Sequence, residues 1–187
     1  DAMLSGYSRN YPAVIKPILE SIGPAKGVSR VAATNLMLTQ RGPIFLSDTS
    51  ININPSAKEL AKIAQMTAQT AKMFGLQPVL AMLSYSNYGS SEFPEAQKIT
   101  EAVKYLHRYY PDIDVDGPVQ SDFALNKEML KSRFPFSQLS KKNVNTLIFP
   151  NLDSANITYK LMKELNGTLS IGPILMGLNA PVHILQL

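Results

Sequence analysis

Strand-like and helix-like segments alternate along most of this chain, and that order limits the folds it can adopt. The clearest helix lies between Ser56 and Gly75. Ser56 and Glu59 have the spacing of a capping box, and apolar residues then recur at helical spacing as far as Phe74. Residues 78–83 follow as a wholly apolar strand, typical of strands buried on both faces. Such alternation predicts a mainly parallel sheet that is covered by helices on both faces.

The remaining elements follow from the same patterns, and residues 28–39 and 43–48 form a hairpin around a turn at residues 40–42. We expect this hairpin to supply an antiparallel edge. The predicted fold class is therefore α/β, with three layers (α/β/α) and a mainly parallel central sheet. The other predicted strands are residues 112–115, 143–149, 170–176 and 182–187, and the other predicted helices are residues 92–110, 121–131 and 154–165.

Composition excludes several classes of function. The 187 residues include no cysteine, which rules out disulfides, thiolate metal sites and a cysteine nucleophile in this segment and fits a cytoplasmic protein. No metal-ligand spacing is visible. The net charge is +4, but the basic residues are scattered, so a nucleic-acid partner is not expected. No apolar run approaches the roughly 18 residues that span a bilayer, so no membrane partner is expected either.

Polar residues follow several predicted strands, at the positions where open α/β sheets bind their ligands. The loop at residues 84–91 has four serines and a glycine, and it leads into a helix whose N-terminus could receive a phosphate. Serine, glycine and asparagine are also the ordinary residues of turns and helix caps, so this alternative stays open. The ligand-binding candidates in this loop are Ser84, Ser86, Asn87, Gly89 and Ser90.

Several longer motifs identify a family. The stretches AMLSYSNYGSSEFPEAQKITEA, VDGPVQSDFALN, IFPNLDSANITYK and IGPILMGLNAPV resemble, in order and spacing, the phosphate acetyl/butyryl transferase family. This resemblance implies acyl transfer between CoA and phosphate, a homo-oligomer, and a two-domain fold similar to isocitrate and isopropylmalate dehydrogenases. It further implies that residues 28–174 form the inner domain. Residues 1–27 and 175–187 would be pieces of a first domain that is mostly missing.

The chain departs from the family where the resemblance implies catalytic groups. Gln186 and Leu187 stand at the positions of the family's serine and arginine, so no catalytic residue is predicted. An aliphatic side chain cannot stabilise a phosphoryl group as an arginine does. Lys16 replaces a second family arginine and keeps only its charge. Arg9, Lys16 and Gln186 remain candidates for binding a ligand.

With these departures, the chain resembles the C-terminal, phosphotransacetylase-like domain of large NADP-dependent malic enzymes. That resemblance implies a regulatory domain that binds acetyl-CoA or another acyl-CoA as an effector. It also implies malic enzyme domains in the same chain, which oxidise and decarboxylate malate to pyruvate with NADP and Mg²⁺ or Mn²⁺. Two alternatives stay open: an active phosphate acetyltransferase that uses another cation, and an oligomerisation module without a ligand.

Overall fold

The computed structural model describes residues 3–6 and 11–185. The strands are β1 (Met3–Gly6), β2 (Ala32–Thr39), β3 (Gly42–Ser47), β4 (Val79–Leu83), β5 (Asp114–Val119), β6 (Thr146–Ile148), β7 (Leu169–Met176) and β8 (Val182–Leu185). The helices are α1 (Tyr11–Ser21), α2 (Ala57–Met73), α3 (Pro94–Tyr109), α4 (Ser121–Leu125), α5 (Lys127–Arg133) and α6 (Leu152–Asn166), with a 3-10 turn at Gln138–Lys141.

The eight strands form one mixed sheet in the order β1-β8-β7-β2-β3-β6-β4-β5. Strands β3, β6, β4 and β5 are parallel neighbours, as are β1 and β8, while β2 is antiparallel to both β3 and β7. The α/β class with a mainly parallel sheet and an antiparallel hairpin is confirmed. The edge position of the hairpin is wrong, because β7 pairs with the outer side of β2. Six consecutive buried residues in β2 fit this interior position.

Helices cover both faces of the sheet, as predicted. Successive side chains of β4 point to opposite faces. Leu80 and Met82 belong to a cluster with α2 and α3, whereas Ala81 and Leu83 belong to a cluster with Leu130 of α5 and with α6. Strand β4 is therefore the centre of two hydrophobic cores, and the three-layer arrangement is confirmed.

Several boundaries differ from the prediction, for local reasons. The single helix predicted at residues 121–131 is two short helices, because the Asn126 side chain accepts a hydrogen bond from Met129 N and starts α5 anew. The strand predicted to end at Val115 continues to Val119. Its continuation depends on Gly117, where an added Cβ would lie 2.5 Å from the carbonyl oxygen of Met82.

The two ends of the described chain meet on the far side of β7. Strand β1 pairs in parallel with β8, and β8 contacts β7 through the pair of Ile174 and His183. Val14 and Ile18 of α1 pack on Val182 and Ile184. Neither β1 nor α1 was predicted from periodicity. The division into residues 1–27, 28–174 and 175–187 stays a prediction.

Candidate functional site

The predicted serine loop lies at the carboxyl end of β4 and is fastened to the end of β5. Ser84 N donates to the carbonyl of Val119 at 3.0 Å, and Tyr88 N donates to that of Pro118 at 2.8 Å. Tyr88 and Gly89 both have positive φ, 41° and 87°, which folds the loop back on itself. The loop is thus held at two points by a neighbouring strand.

Most polar groups of this loop bond to one another or to β5. Asn87 Nδ2 donates to Gln120 Oε1 at 2.5 Å, and Gln120 N donates back to Asn87 Oδ1 at 2.8 Å. Ser90 Oγ accepts from Asn87 N at 3.1 Å. Ser86 differs: its side chain is only 5% exposed, and among the described residues its Oγ has no hydrogen-bond partner. This unpaired hydroxyl is buried, so Ser86 does not present it at the surface of the loop.

Tyr88 connects the loop to the 3-10 turn through its hydroxyl group. Its hydroxyl donates to Ser137 Oγ at 2.7 Å, and Ser137 Oγ donates to Asp116 Oδ2 at 2.8 Å. Burial raises the pKa of Tyr88 to about 12, so the phenol stays protonated. This chain of three side chains ties the loop to the 3-10 turn and to β5.

The other predicted site residues lie elsewhere. Lys16 is exposed on α1, which packs on β1 and β8, and Arg9 and Gln186 lie outside the described residues. Strand β8 runs antiparallel to β7, and β7 runs in the same direction as β4. The carboxyl ends of β8 and β4 therefore lie at opposite ends of the strands of the sheet. The two strands are also five strand spacings apart, which is about 24 Å. The structure does not bring Lys16 together with the serine loop within this chain.

A groove that the sequence did not reveal lies between α2 and the β7–β8 region. It has a volume of about 1020 Å³. Its walls come from three stretches distant in sequence: residues 25–30, the outward face of α2, and residues 171–182. Met66, Met73, Phe74 and Ile174 give it apolar surface, and Lys26, Arg30 and Lys62 give it positive charge. This combination suits a ligand with an anionic part and an apolar part.

Three cations line the groove among the described residues, and they differ in whether another side chain already pairs with them. Arg30 forms an ion pair with Glu59 at 2.7 Å and also donates to Asn52 Oδ1 at 3.3 Å. Lys62 donates to the Tyr110 hydroxyl, and this hydrogen bond raises the pKa of Lys62, so it stays charged. Lys26 is exposed and makes no ion pair with any described residue. Lys26 is therefore the cation most available to an anion.

One sequence signal could have pointed to this groove. Lys62, Gln65 and Gln69 recur along α2 at helical spacing, so polar side chains with long reach share one face of that helix. The facing wall could not have been found by such a pattern, because it comes from a different part of the chain.

Asp48, directly after β3, is buried but has a structural role. Its carboxyl oxygens accept from the backbone N–H groups of Ala33, Ser50, Ile51 and Asn52, and also from Asn52 Nδ2. Burial raises the pKa of the Asp48 carboxyl, and these donors act in the opposite direction. With its oxygens occupied in this way, Asp48 fixes the turn rather than serving as an open acid or base.

Within residues 3–6 and 11–185, no cluster of three or more histidine, aspartate or glutamate side chains could hold a metal ion. Within the same residues, no helix has both the length and the hydropathy to cross a membrane.

The chain is similar over its whole length to two kinds of curated protein. It is 38% identical to the NADP-dependent malic enzyme of Haemophilus influenzae, covering all of this chain and 24% of that protein. It is also 38% identical to the phosphate acetyltransferase of Helicobacter pylori, covering 99% of this chain and 36% of that protein. For the phosphate acetyltransferase of Bacillus subtilis the identity is 35%, over 57% of that protein. The chain thus spans only part of each relative.

Solved structures agree with this fold. A phosphotransacetylase from Streptococcus pyogenes superposes with a TM-score of 0.93 at 39% identity, over all of this chain and 57% of that one. The EutD phosphotransacetylase from Staphylococcus aureus gives a TM-score of 0.90 at 32% identity, with the same coverage. The phosphate acetyl/butaryl transferase family model matches residues 1–187. This chain therefore belongs to the phosphate acetyl/butaryl transferase family.

Proposed function

We propose that this chain is a phosphotransacetylase-like regulatory domain of an NADP-dependent malic enzyme and that it binds acetyl-CoA without transferring the acyl group. The groove between α2 and the β7–β8 region is the observation that carries this proposal. Malic enzymes are among the relatives that match the full length of the chain. The malic enzyme activity would belong to other domains of the same chain.

The chemistry of the groove supports an acyl-CoA as ligand. A CoA thioester carries phosphates at one end and a flexible, largely neutral arm at the other. Lys26 and Arg30 lie together on one wall and would bind phosphate oxygens by charge-assisted hydrogen bonds. Met66 and Phe74 supply apolar surface for the arm. The groove volume of about 1020 Å³ is at the upper end of the usual range for ligand pockets.

Loss of acyl transfer is proposed from the residues at the end of the chain. By the family resemblance, Leu187 replaces the arginine that binds the phosphoryl group, and Gln186 replaces a serine. Removing one preorganised charge at a reacting group typically slows a reaction by about 10² to 10³. Binding of CoA is less sensitive, because it distributes over many contacts.

Malate oxidation by the full-length protein, in which this chain would be joined to the malic enzyme domains, tests this function. Acetyl-CoA is expected to change the rate for the wild type, and Lys26→Ala is expected to need about tenfold more acetyl-CoA for the same change. Lys58→Ala is the matched control, because Lys58 is an exposed lysine of α2 that does not line the groove. A Ser86→Ala variant tests the serine loop separately: if it alone weakens the response, the effector binds at the loop and not in the groove.

An active phosphate acetyltransferase is the second candidate, and the phosphate acetyltransferases among the relatives favour it. A coupled assay for acetyl-CoA formation from acetyl phosphate and CoA separates the two functions. The regulatory proposal predicts turnover that is slower than that of an ordinary enzyme by about 10² to 10³ or more. Turnover within about 100-fold of an ordinary enzyme would establish the transferase instead.

The wider context consists of predictions from the resemblance and from the composition. NADP and Mg²⁺ or Mn²⁺ would bind in the malic enzyme domains of the same chain, and the protein would be a cytoplasmic homo-oligomer without nucleic-acid or membrane partners. Arg9, Lys16 and Gln186 also stay predicted contacts to the ligand.

A further inference from the structure

Three tyrosines lie together at the end of helix α3. The ring centres of Tyr105 and Tyr109 are 4.4 Å apart, and those of Tyr105 and Tyr110 are 6.5 Å apart. Tyr105 and Tyr110 pack against the core that α2 and α3 share, whereas Tyr109 is 54% exposed. Packing against the core therefore explains two of the rings but not Tyr109. We call these three residues the tyrosine cluster.

The tyrosine cluster borders the groove through Lys62. The Lys62 side chain lines the groove, while its Nζ donates to the Tyr110 hydroxyl and lies 5.2 Å from the centre of the Tyr110 ring. Through this hydrogen bond Tyr110 raises the pKa of Lys62, and the nearby Tyr105 acts in the same direction. A ligand that contacts Lys62 from within the groove is thus one side chain away from the tyrosine cluster.

The position of the cations along α2 relates the two features. Arg30 pairs with Glu59 in the first turn of the helix, and Lys62 is three residues further on, so the two cations lie about one turn apart. Phe74, an apolar residue of the groove, is twelve residues beyond Lys62, which is about 18 Å along the helix axis. The cations therefore border the apolar part of the groove on one side and the tyrosine cluster on another.

The parts of an acyl-CoA follow one another in the same order. Its diphosphate joins a long arm, which ends in the thioester, to an adenosine. With the diphosphate at Arg30 and Lys62 and the arm directed towards Phe74, the adenine ring lies on the side of the tyrosine cluster. Purine rings stack on aromatic side chains and on guanidinium planes. Tyr109 offers an exposed ring, and the Arg108 guanidinium lies 5.3 Å from the centre of that ring.

We propose that the tyrosine cluster binds the adenine ring of the acyl-CoA effector, with Tyr109 as the stacking residue. This inference rests on the proposed function, because it takes the groove as the acyl-CoA site. It adds a basis for specificity: the site selects CoA thioesters over thioesters that lack the nucleotide. Lys62 then connects the part of the site that binds phosphate to the part that binds the base.

Calorimetric titration of the full-length protein with two ligands tests the stacking. One ligand is acetyl-CoA, and the other is S-acetyl-4′-phosphopantetheine, which has the arm and one phosphate but no adenosine. Tyr109→Leu is expected to bind acetyl-CoA about tenfold more weakly than the wild type and to bind the shorter thioester equally well. Tyr109→Phe keeps the ring and is expected to keep the affinity for acetyl-CoA. Tyr85→Leu, at another exposed tyrosine, is the matched control.

The possible results separate this inference from the proposed function. If Lys26→Ala weakens the binding of acetyl-CoA but Tyr109→Leu does not, the groove binds the effector and the adenine site is overturned. An equal loss in Tyr109→Leu and Tyr109→Phe, or an equal loss for both ligands, overturns stacking on the ring. Wild-type protein that does not bind acetyl-CoA overturns the inference and the proposed function together.

Photolabelling locates the base directly. The acetyl thioester of 8-azido-CoA carries its reactive group on the adenine ring, so light attaches it to the residues that contact the base. We expect the label within residues 105–110 of the full-length protein, and we expect an excess of acetyl-CoA to prevent this labelling. Label within residues 84–91 or in another domain, when acetyl-CoA also prevents it, overturns the proposal.

Discussion

The hydroxyl of Tyr88 donates a 2.7 Å hydrogen bond to Ser137 Oγ, which joins the loop after β4 to the 3-10 turn. The two residues are 49 positions apart in sequence, and Tyr88 has a φ of 41°. That backbone angle is uncommon for a bulky residue and normally costs free energy. The hydrogen bond and the packing of the Tyr88 ring on Phe134 and Phe136 offset this cost.

Replacing Tyr88 by phenylalanine is expected to loosen this loop. Tyr88→Phe removes the donor to Ser137 and should lower the free energy of unfolding by about 1 kcal/mol. Amide hydrogen exchange should increase at residues 84–91. Tyr85→Phe is the control, because Tyr85 is 56% exposed and its hydroxyl shares a solvent-exposed hydrogen bond with Ser91 Oγ. If both variants exchange alike, the Tyr88 anchor is not what orders the loop.

Replacing Asp48 by asparagine is expected to destabilise the fold strongly. The Asp48 oxygens accept five N–H donors, and an amide would place an N–H group among them. We expect Asp48→Asn to lower the free energy of unfolding by about 3 kcal/mol in chemical denaturation. Asp112→Asn, at an exposed position, should change it little. Equal stability of the two variants would contradict a structural role for Asp48.

The capping box of α2 is expected to make the stability of the fold fall as the pH is lowered. The backbone N–H of Ser56 lowers the pKa of Glu59, and the charge of Arg30 acts in the same direction. A carboxylate whose pKa is lower in the folded state stabilises the fold above its unfolded pKa of about 4.3. This contribution is lost as the pH falls through the folded pKa. The stability difference between wild type and Glu59→Gln should therefore shrink between about pH 6 and pH 3. Glu101→Gln, on an exposed part of α3, should show no such trend.

Gly117 is expected to tolerate no side chain, because β5 approaches β4 closely there. Its φ is 148°, and an added Cβ would lie 2.5 Å from Met82 O. Gly117→Ala should cost more than about 3 kcal/mol of unfolding free energy. Gly75→Ala also has a positive φ, 75°, but meets no atom within 4 Å, so about 1 kcal/mol is expected. Thermal denaturation of the two variants separates steric overlap from backbone conformation. Similar losses would contradict the close approach at Gly117.

Local patterns predicted the elements well, because their causes are local. Ser56 and Glu59 form the expected capping box, and Gly75 has the expected left-handed conformation after α2. The order of the strands in the sheet was harder to predict from the sequence. Nothing in the spacing of β2 shows that β7, over 130 residues later, pairs with its other side. Pairing partners depend on packing across the whole sheet, and periodicity within one segment does not report it.

The candidate site was likewise predictable only where its features depend on neighbouring residues in the sequence. Residues 84–91 were visible as a polar loop after a strand, but the mutual bonding of Asn87 and Gln120 depends on a contact 33 residues apart. The groove was not predicted, because Lys26, Lys62 and Gly177 reach it from three separate stretches of the chain. The alternation of local patterns predicted the α/β class, whereas whole motifs predicted the family.

Calorimetric titration of acetyl-CoA into the full chain tests the central claim most directly. We expect one saturable site per domain, with an affinity that falls about tenfold in Lys26→Ala and stays unchanged in Lys58→Ala. The absence of binding heat at any temperature tried, or equal affinity of the Lys26→Ala variant and the wild type, would contradict an acyl-CoA site in the groove.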